Sequence, residues 1–115
     1  MRLLLAAGLA AAFALPAAAA EGLPEGVEQL MTCGHVYSIR SDEAAKAGDA
    51  DTQAELFNMG DALIWQAKSS MEAAGFTAQE INDVDMNYAL MTGFNYGAGM
   101  GEQMLADCLA AWDSP

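Results

Sequence analysis

The two cysteines are the feature of this sequence that most constrains its fold. Cys33 and Cys108 stand 75 positions apart, and the 115 residues contain no other cysteine. In a chain bound for an oxidising compartment, a single pair of cysteines most simply forms one disulfide. A bridge across so long a loop stabilises a fold by roughly 4.5 kcal/mol, which rivals the net stability of a small domain. Two free thiols, or a bridge between two molecules, are the alternatives.

The first twenty residues, 1–20, have the pattern of an export signal. One arginine precedes an apolar run, Leu3–Leu15, which is followed by Pro16 and a row of alanines. A positive start, an apolar core and small residues at the end are the three parts of a signal peptide. An uncleaved membrane anchor is the alternative, but the run is shorter than the roughly 18 to 20 residues that a spanning helix needs. We therefore expect cleavage before Glu21, a periplasmic location, and a single domain over residues 21–115.

The charge of the chain beyond the leader is strongly negative. All 16 acidic residues lie after residue 20, where Arg40, Lys46 and Lys68 are the only lysines or arginines, and the whole chain has a formal net charge of −12 at pH 7. Such a surface repels the phosphates of nucleic acids and the headgroups of anionic lipids. We therefore predict no nucleic-acid binding and, since no long apolar run follows the leader, no integral membrane protein. A basic protein partner would be attracted.

The spacing of apolar residues predicts helices throughout the domain. Apolar positions three and four residues apart predict a first helix from Val27 to about Arg40, followed by a loop or weak helical turn over residues 41–49. The run Thr52–Glu55 has the pattern of a capping box at the start of a second helix. Gly75 suits the left-handed residue that ends it in a Schellman motif.

A third helix follows at once. Thr77–Glu80 is another capping box, so the second and third helices should form a tight antiparallel hairpin. The inward stripe predicted for the third helix consists of Ile81, Val84, Tyr88 and Met91. Four glycines between positions 93 and 101 leave two possibilities for residues 78–112. Either the helix breaks near 97–101, or it continues, straight or kinked, with glycines that allow close helix contact; we favour the second.

Both cysteines fall on inward-facing stripes, Cys33 in the first helix and Cys108 in the last. No alternating run of strand length is present. The sequence therefore predicts an all-α fold, a small three- to four-helix bundle stapled by one disulfide.

The residues with reactive or metal-ligating side chains do not form a catalytic or cofactor motif. The run Thr32–His35 contains one cysteine where a covalent haem site needs two. Cys33 and His35 are two positions apart, so on a helix their side chains diverge and do not act together as nucleophile and base. Met31 and His35 lie one turn apart and supply only half of a haem or copper site, so they are weak metal candidates. We predict no enzyme activity, no cofactor and no bound metal.

An aromatic and amide cluster is the candidate recognition surface. It consists of Phe94, Asn95 and Tyr96, beside the glycines. Tyr96 lies off the main stripe, so it is either exposed for recognition or packed against a neighbouring helix. Trp65 lies at the edge of the stripe of the second helix and joins the same list of candidates.

Two functional interpretations follow. The first is a non-catalytic envelope protein that binds or modulates another macromolecule through an apolar groove or through the aromatic cluster. The second starts from the organisation of the chain, in which an export signal is followed by fewer than 100 helical residues. One bridge joins Cys33, in the run Thr32-Cys33, to Cys108. This plan resembles the acid-stress chaperones of the HdeA kind, and the resemblance implies a periplasmic holdase. A carrier of a metal or small ligand is a further alternative.

Overall fold

The chain is almost entirely helical in the computed structural model, which describes residues 22–113; the predicted leader lies outside these residues. The elements are α1 (Val27–Lys46), α2 (Ala50–Ala73), α3 (Ala78–Asn95), a π-helical turn (Tyr96–Met100) and α4 (Gly101–Asp113). The described residues form no strand. The predicted all-α bundle is thus confirmed. None of the helices in the described part of the chain has the length and apolarity required to span a bilayer.

The first helix is longer than the sequence suggested. It continues past Arg40 to Lys46, so the expectation of a loop or a weak turn over residues 41–49 is wrong for most of that stretch. Ser41 is 3% exposed, and its hydroxyl donates a hydrogen bond to the carbonyl of Gln53, 2.9 Å away. Ser41 therefore faces inward, against the start of α2. The periodicity of apolar residues does not reveal such a position, because serine is polar.

The second helix also begins earlier than predicted. Its N-cap is Asp49, whose carboxylate accepts a hydrogen bond from the amide of Thr52 at 3.1 Å. Thr52 is therefore inside the helix, and the capping box predicted at Thr52–Glu55 is wrong. Asp49 precedes Thr52 by the three-residue spacing that an N-cap needs, and acidic N-caps are as effective as hydroxyl N-caps.

The junction between α2 and α3 is formed as predicted. The amide of Phe76 donates to the carbonyl of Met71, that of Gly75 donates to Glu72, and Gly75 has a φ of 97°, which completes a Schellman motif. Thr77 and Glu80 then form a reciprocal capping box, with side chain to amide distances of 3.1 and 2.8 Å. The end of one helix and the start of the next are therefore fixed by local hydrogen bonds.

The closest helix pair is α1 and α2, because two glycines face each other where they cross. A methyl group added to Gly60 would lie 2.7 Å from the carbonyl oxygen of Gly34, and one added to Gly34 would collide with Ile64. Only glycine at both positions allows this approach. The third helix follows α2 after the short junction predicted for a hairpin, and it makes its larger contact with α1 and a smaller one with α2.

Two apolar clusters form the core along α1. The first contains the buried residues Val27, Leu30, Met31, Ala67, Met71 and Phe76, with Ile81, Val84 and Tyr88 of α3 packed against it. The second contains Cys33, Val36, Tyr37 and Cys108, with Leu56, Leu63, Tyr96, Met104 and Leu105 around it. The Cys33–Cys108 disulfide lies in the second cluster and joins α1 to α4 across a Cα–Cα distance of 5.5 Å. The predicted bridge is confirmed.

The glycine-rich segment produces a kink. Gly99 has a φ of 102°, a left-handed conformation that side-chain-bearing residues rarely adopt, and it separates α3 from α4 within the π-helical turn. An uninterrupted straight helix over residues 78–112 is thereby excluded. The helical conformation is lost at Gly99, within the interval 97–101, and the helices on either side meet at a kink, an outcome between the two predicted possibilities. The kink directs α4 back onto α1, where Cys108 meets Cys33.

Candidate functional site

The most distinctive surface of the molecule is a row of apolar side chains on α3. Met86, Leu90 and Phe94 follow one another at four-residue spacing and are 57%, 68% and 77% exposed. Met91, beside them, is 48% exposed. We call these four residues the α3 ridge. Since positions four apart lie above one another on a helix, the ridge is one continuous strip.

The ridge exists because α3 carries two apolar stripes and only one of them faces the core. Ile81, Val84 and Tyr88 pack against the first core cluster, and the next inward position is Thr92, which is 2% exposed. The prediction that Met91 faces inward is wrong. Thr92, four residues after Tyr88, takes the inward position and Met91 faces outward. The apolar character of methionine had favoured Met91, three residues after Tyr88.

Two of the predicted recognition residues lie at the end of the ridge. Phe94 belongs to it, and Asn95 is half-buried next to it. Together with Leu90 and Met91 they line a shallow cleft of about 380 Å³. A polar amide beside an apolar cleft offers one hydrogen-bonding group to a bound chain.

Tyr96 is directed away from the ridge, into the junction of α1, the π-helical turn and α4. Its hydroxyl donates to Glu43 Oε1 at 2.8 Å and accepts from Arg40 Nη1 at 3.2 Å. Its ring covers Gly101, where an added methyl group would lie 2.9 Å from the ring. Burial raises the pKa of Tyr96 above its ordinary value. Of the two placements considered for Tyr96, the structure has the packed one.

Trp65 is on a different surface. It is 70% exposed on α2 and borders an open cleft of about 310 Å³ between α2 and α3, whose lining includes Phe76 and Ile81. Lys68 and Glu72 also line this cleft. The four predicted recognition residues therefore do not form one surface: Phe94 and Asn95 lie together, Tyr96 is packed against α1 and α4, and Trp65 borders a separate cleft.

The weak metal candidates are occupied in other ways. Met31 is fully buried in the first core cluster. His35 Nε2 lies 2.7 Å from Asp85 Oδ1, and Lys68 Nζ lies 3.0 Å from the other oxygen of the same carboxylate. One carboxylate of α3 thus joins α1 and α2. Within the described residues, no group of three or more histidine, cysteine, aspartate or glutamate side chains is arranged to hold a metal ion.

The comparison with known proteins gives no relative. No family model, no curated protein and no solved structure matches this chain. Function is therefore inferred from the surfaces of the molecule alone. The chemistry they offer is apolar contact along the α3 ridge and negative charge around it.

Sequence reasoning missed the ridge although its signal is present. Met86, Leu90 and Phe94 have helical spacing, but so do Ile81, Val84 and Tyr88. A helix with apolar residues on both faces is expected to be covered on both. The signal that points to the ridge is the excess of apolar residues over what a small bundle can bury.

Proposed function

We propose that this chain is an exported, non-catalytic protein that binds a basic amphipathic helix of another envelope protein along the α3 ridge. The observation that carries the proposal is the row of Met86, Leu90 and Phe94, each more than half exposed, on the face of α3 opposite the residues that contact the core. Contiguous exposed apolar side chains of this size are characteristic of interaction sites. Scattered single residues would need no such explanation.

A helix is the partner that the shape of the ridge favours. Side chains at four-residue spacing fit between those of a second helix whose apolar residues recur every three to four positions. Phe94 is the largest of these side chains and the most exposed, so we expect it to be the anchor. Methionines at positions 86 and 91 adapt to different partner side chains because their chains are unbranched and flexible.

The charge of the molecule favours a basic partner and disfavours a second copy. Between Ala78 and Asn95 the helix carries Glu80, Asp83 and Asp85 and no basic side chain, and of these Asp85 is paired with Lys68 and His35. The formal net charge of the whole chain is −12, so two copies that approach each other repel. A partner with lysine or arginine beside its apolar residues is attracted instead.

Export is part of the proposal and rests on the sequence of the leader and on the Cys33–Cys108 disulfide, a kind of bond that is rare in reducing compartments. Mass spectrometry of the protein purified from cells tests it directly. We expect a chain that begins at Glu21 and contains no free thiol. A retained leader or two titratable thiols would contradict it.

The binding proposal is tested with a defined probe, a designed amphipathic helix of leucine and lysine. Its counterpart, with glutamate in place of lysine, has the same apolar face. We expect binding of the lysine peptide, and weakening by about tenfold or more in Leu90→Ala and in Phe94→Ala, since buried apolar anchors contribute about 1–2 kcal/mol or more each. Phe57→Ala is the matched control, because Phe57 is 57% exposed on α2. Calorimetric titration measures the lysine peptide against the wild type and the three variants, and the glutamate peptide against the wild type.

Three results would overturn the binding proposal. The first is equal binding of the lysine and glutamate peptides, and the second is an affinity that Leu90→Ala and Phe94→Ala leave unchanged. The third is a stable dimer of the protein alone in sedimentation velocity, with the ridge as its interface.

A holdase that protects unfolded clients is the second candidate, and the methionines favour it. Met59, Met86, Met91 and Met100 are all at least 36% exposed, and flexible thioether side chains suit unspecific apolar clients. Light scattering of a denaturing client distinguishes the two candidates. Protection at pH 2 to 7 supports the holdase, and aggregation that is unchanged at every pH eliminates it.

A further inference from the structure

We infer that a second cleft, between α1 and α4, receives a long cationic side chain, lysine or arginine, from the same partner. It is lined by Glu28 and Thr32 of α1, by Met104 and Asp107 of α4, and by the Cys33–Cys108 disulfide, and we call it the bridge cleft. This inference rests on the proposed function for the identity of the partner. The inference adds a second site, which binds one side chain of that partner.

The apolar lining of the bridge cleft fits the stem of such a side chain. The cleft has a volume of about 390 Å³, which accommodates one large side chain. Met104 and the disulfide present sulfur atoms and carbon atoms rather than hydrogen-bonding groups. Lysine and arginine place their methylene stems on surfaces of this kind while their charged ends reach polar groups at the rim.

The charged groups of the bridge cleft are the carboxylates of Glu28 and Asp107, and the polar side chains of Gln29 and Thr32 line it as well. The carboxylate of Asp107 accepts a hydrogen bond from Gln103 Nε2 at 2.8 Å, a neutral donor that leaves its negative charge in place. Burial and the nearby carboxylate of Glu28 raise the pKa of the Tyr88 phenol.

The cations of the described residues lie outside the bridge cleft, Lys46 at the end of α1 among them. Among the described residues, Lys68 and His35 contact Asp85, and Arg40 contacts Glu43 and Glu102. No basic side chain lines the bridge cleft. Its charge is therefore complementary to a cation supplied from outside.

A metal ion fits the bridge cleft less well than a side chain. Calcium takes six to eight oxygen ligands, and transition metals are typically held by three or four protein side chains. The cleft offers two carboxylates, one amide and one hydroxyl, and the rest of its lining is a thioether and a disulfide. A long organic cation satisfies both halves of the site at once.

Methyl NMR of protein labelled on its methionines tests the inference. Met104 lies in the bridge cleft, and Met86 and Met91 lie on the α3 ridge, so the two sites report separately. The probe is butylguanidinium, with the neutral butylurea as its control. We expect butylguanidinium to shift the Met104 methyl signal without shifting those of Met86 and Met91, and butylurea to have no effect.

Variants assign the shift to the two carboxylates. The double change Glu28→Gln with Asp107→Asn should weaken the binding of butylguanidinium roughly five- to tenfold, the effect of losing two solvent-exposed charge contacts. Asp61→Asn with Glu55→Gln is the matched control, since both acids are exposed on α2 and it removes the same charge. An unmoved Met104 signal, an equal shift with butylurea, or equal weakening by the control variant would overturn the inference.

The two proposals fail in different ways. If the lysine peptide does not bind but butylguanidinium still shifts Met104, the ridge proposal is lost and the cleft remains a cation site without the partner assigned to it. If the peptide binds and shifts Met86 and Met91 but not Met104, the bridge cleft is not used and the inference is wrong.

Discussion

The α1–α2 pair and the segment from α3 to α4 use their apolar residues in opposite ways. On α1, Val27, Met31, Val36 and Tyr37 are almost completely buried. On α3, Thr92 is the only buried residue of the helix, while Leu90 and Phe94 are mostly exposed. The first region thus supplies the core, and the second covers part of it and leaves an apolar strip outside. A small domain buries a smaller fraction of its surface than a large one, and a contiguous apolar strip left outside is characteristic of interaction sites.

The second region depends on special contacts with the first. The disulfide joins α4 to Cys33, and Arg40 contacts Glu102 and the hydroxyl of Tyr96. Arg40 Nη1 to Glu102 Oε2 is an exposed pair at 3.3 Å, which contributes little by itself. The bridge, together with the packing of Met104 and Leu105 on the second core cluster, is therefore what holds α4 to the rest of the molecule.

Removal of the disulfide is the change with the largest expected effect. The double change Cys33→Ser with Cys108→Ser should lower the free energy of unfolding by about 4 kcal/mol, because the unfolded chain is no longer constrained over 75 residues. Denaturant unfolding measures this loss, and hydrogen exchange should show α4 losing protection before α1 and α2. If α1 and α4 lose protection equally, the contrast between the two regions is wrong.

Substitution at the glycine crossing tests the tight region. Gly60→Ala should destabilise the fold by about 1–3 kcal/mol, since its methyl group would lie 2.7 Å from the carbonyl oxygen of Gly34 and a backbone must move. Gly93→Ala on α3 is the control, because its methyl group would meet nothing within 4 Å. Thermal unfolding compares them. A Gly60→Ala protein as stable as the wild type would show that the helices are not closely apposed.

The kink distinguishes two glycines of the second region. Gly99→Ala should cost about 1–2 kcal/mol, because alanine is strained in the left-handed conformation. Gly93→Ala should instead stabilise the protein by up to about 1 kcal/mol, since alanine is the better residue inside a helix. Denaturant midpoints of the two variants should move in opposite directions. Equal stabilisation by both would mean that α3 and α4 form one helix.

Alkaline titration tests the contacts that two tyrosines make with α1, and its expected effect is the smallest. Burial raises the pKa of Tyr88 and of Tyr96, in each case as the largest cause. Their neutral forms therefore stabilise the fold below the ordinary tyrosine pKa, and this stability is lost as the pH rises through the raised values. Ultraviolet absorbance of the folded protein should show that both phenols ionise at a higher pH than in the unfolded chain. The variants Tyr88→Phe and Tyr96→Phe assign the two transitions. Ionisation at the ordinary value would contradict the packing described.

The sequence was sufficient for the parts of the fold that depend on local signals. The capping box at Thr77 and the helix end at Gly75 are each encoded in a few neighbouring residues, and the bridge from Cys33 to Cys108 follows from there being only two cysteines in the sequence. The start of α2 and the extension of α1 were missed, because Asp49 competed with Thr52 as a cap and Ser41 is buried through a contact with a distant carbonyl. The close approach of α1 and α2 at Gly34 and Gly60 was also missed, because it joins distant positions and no local pattern shows it.

The candidate sites were less predictable than the fold. Phe94 and Asn95, two of the predicted recognition residues, line one cleft, whereas the side chains of Leu90 and Met86 were not included in the prediction. The bridge cleft was out of reach, since Glu28 and Asp107 are brought together only when α4 returns to α1. A cleft between distant segments depends on the kink at Gly99, and a sequence with several glycines does not reveal which of them turns the chain.

The bond between Cys33 and Cys108 turns most of the domain into a closed covalent ring. A protease that cuts once inside α2 or α3 opens this ring but releases no fragment, because both pieces stay attached through the sulfur atoms. Such a nicked molecule gains only the mass of one water and separates into two chains only after reduction. Covalent integrity and native conformation can therefore be lost independently in this protein, the first requiring two separate chemical events.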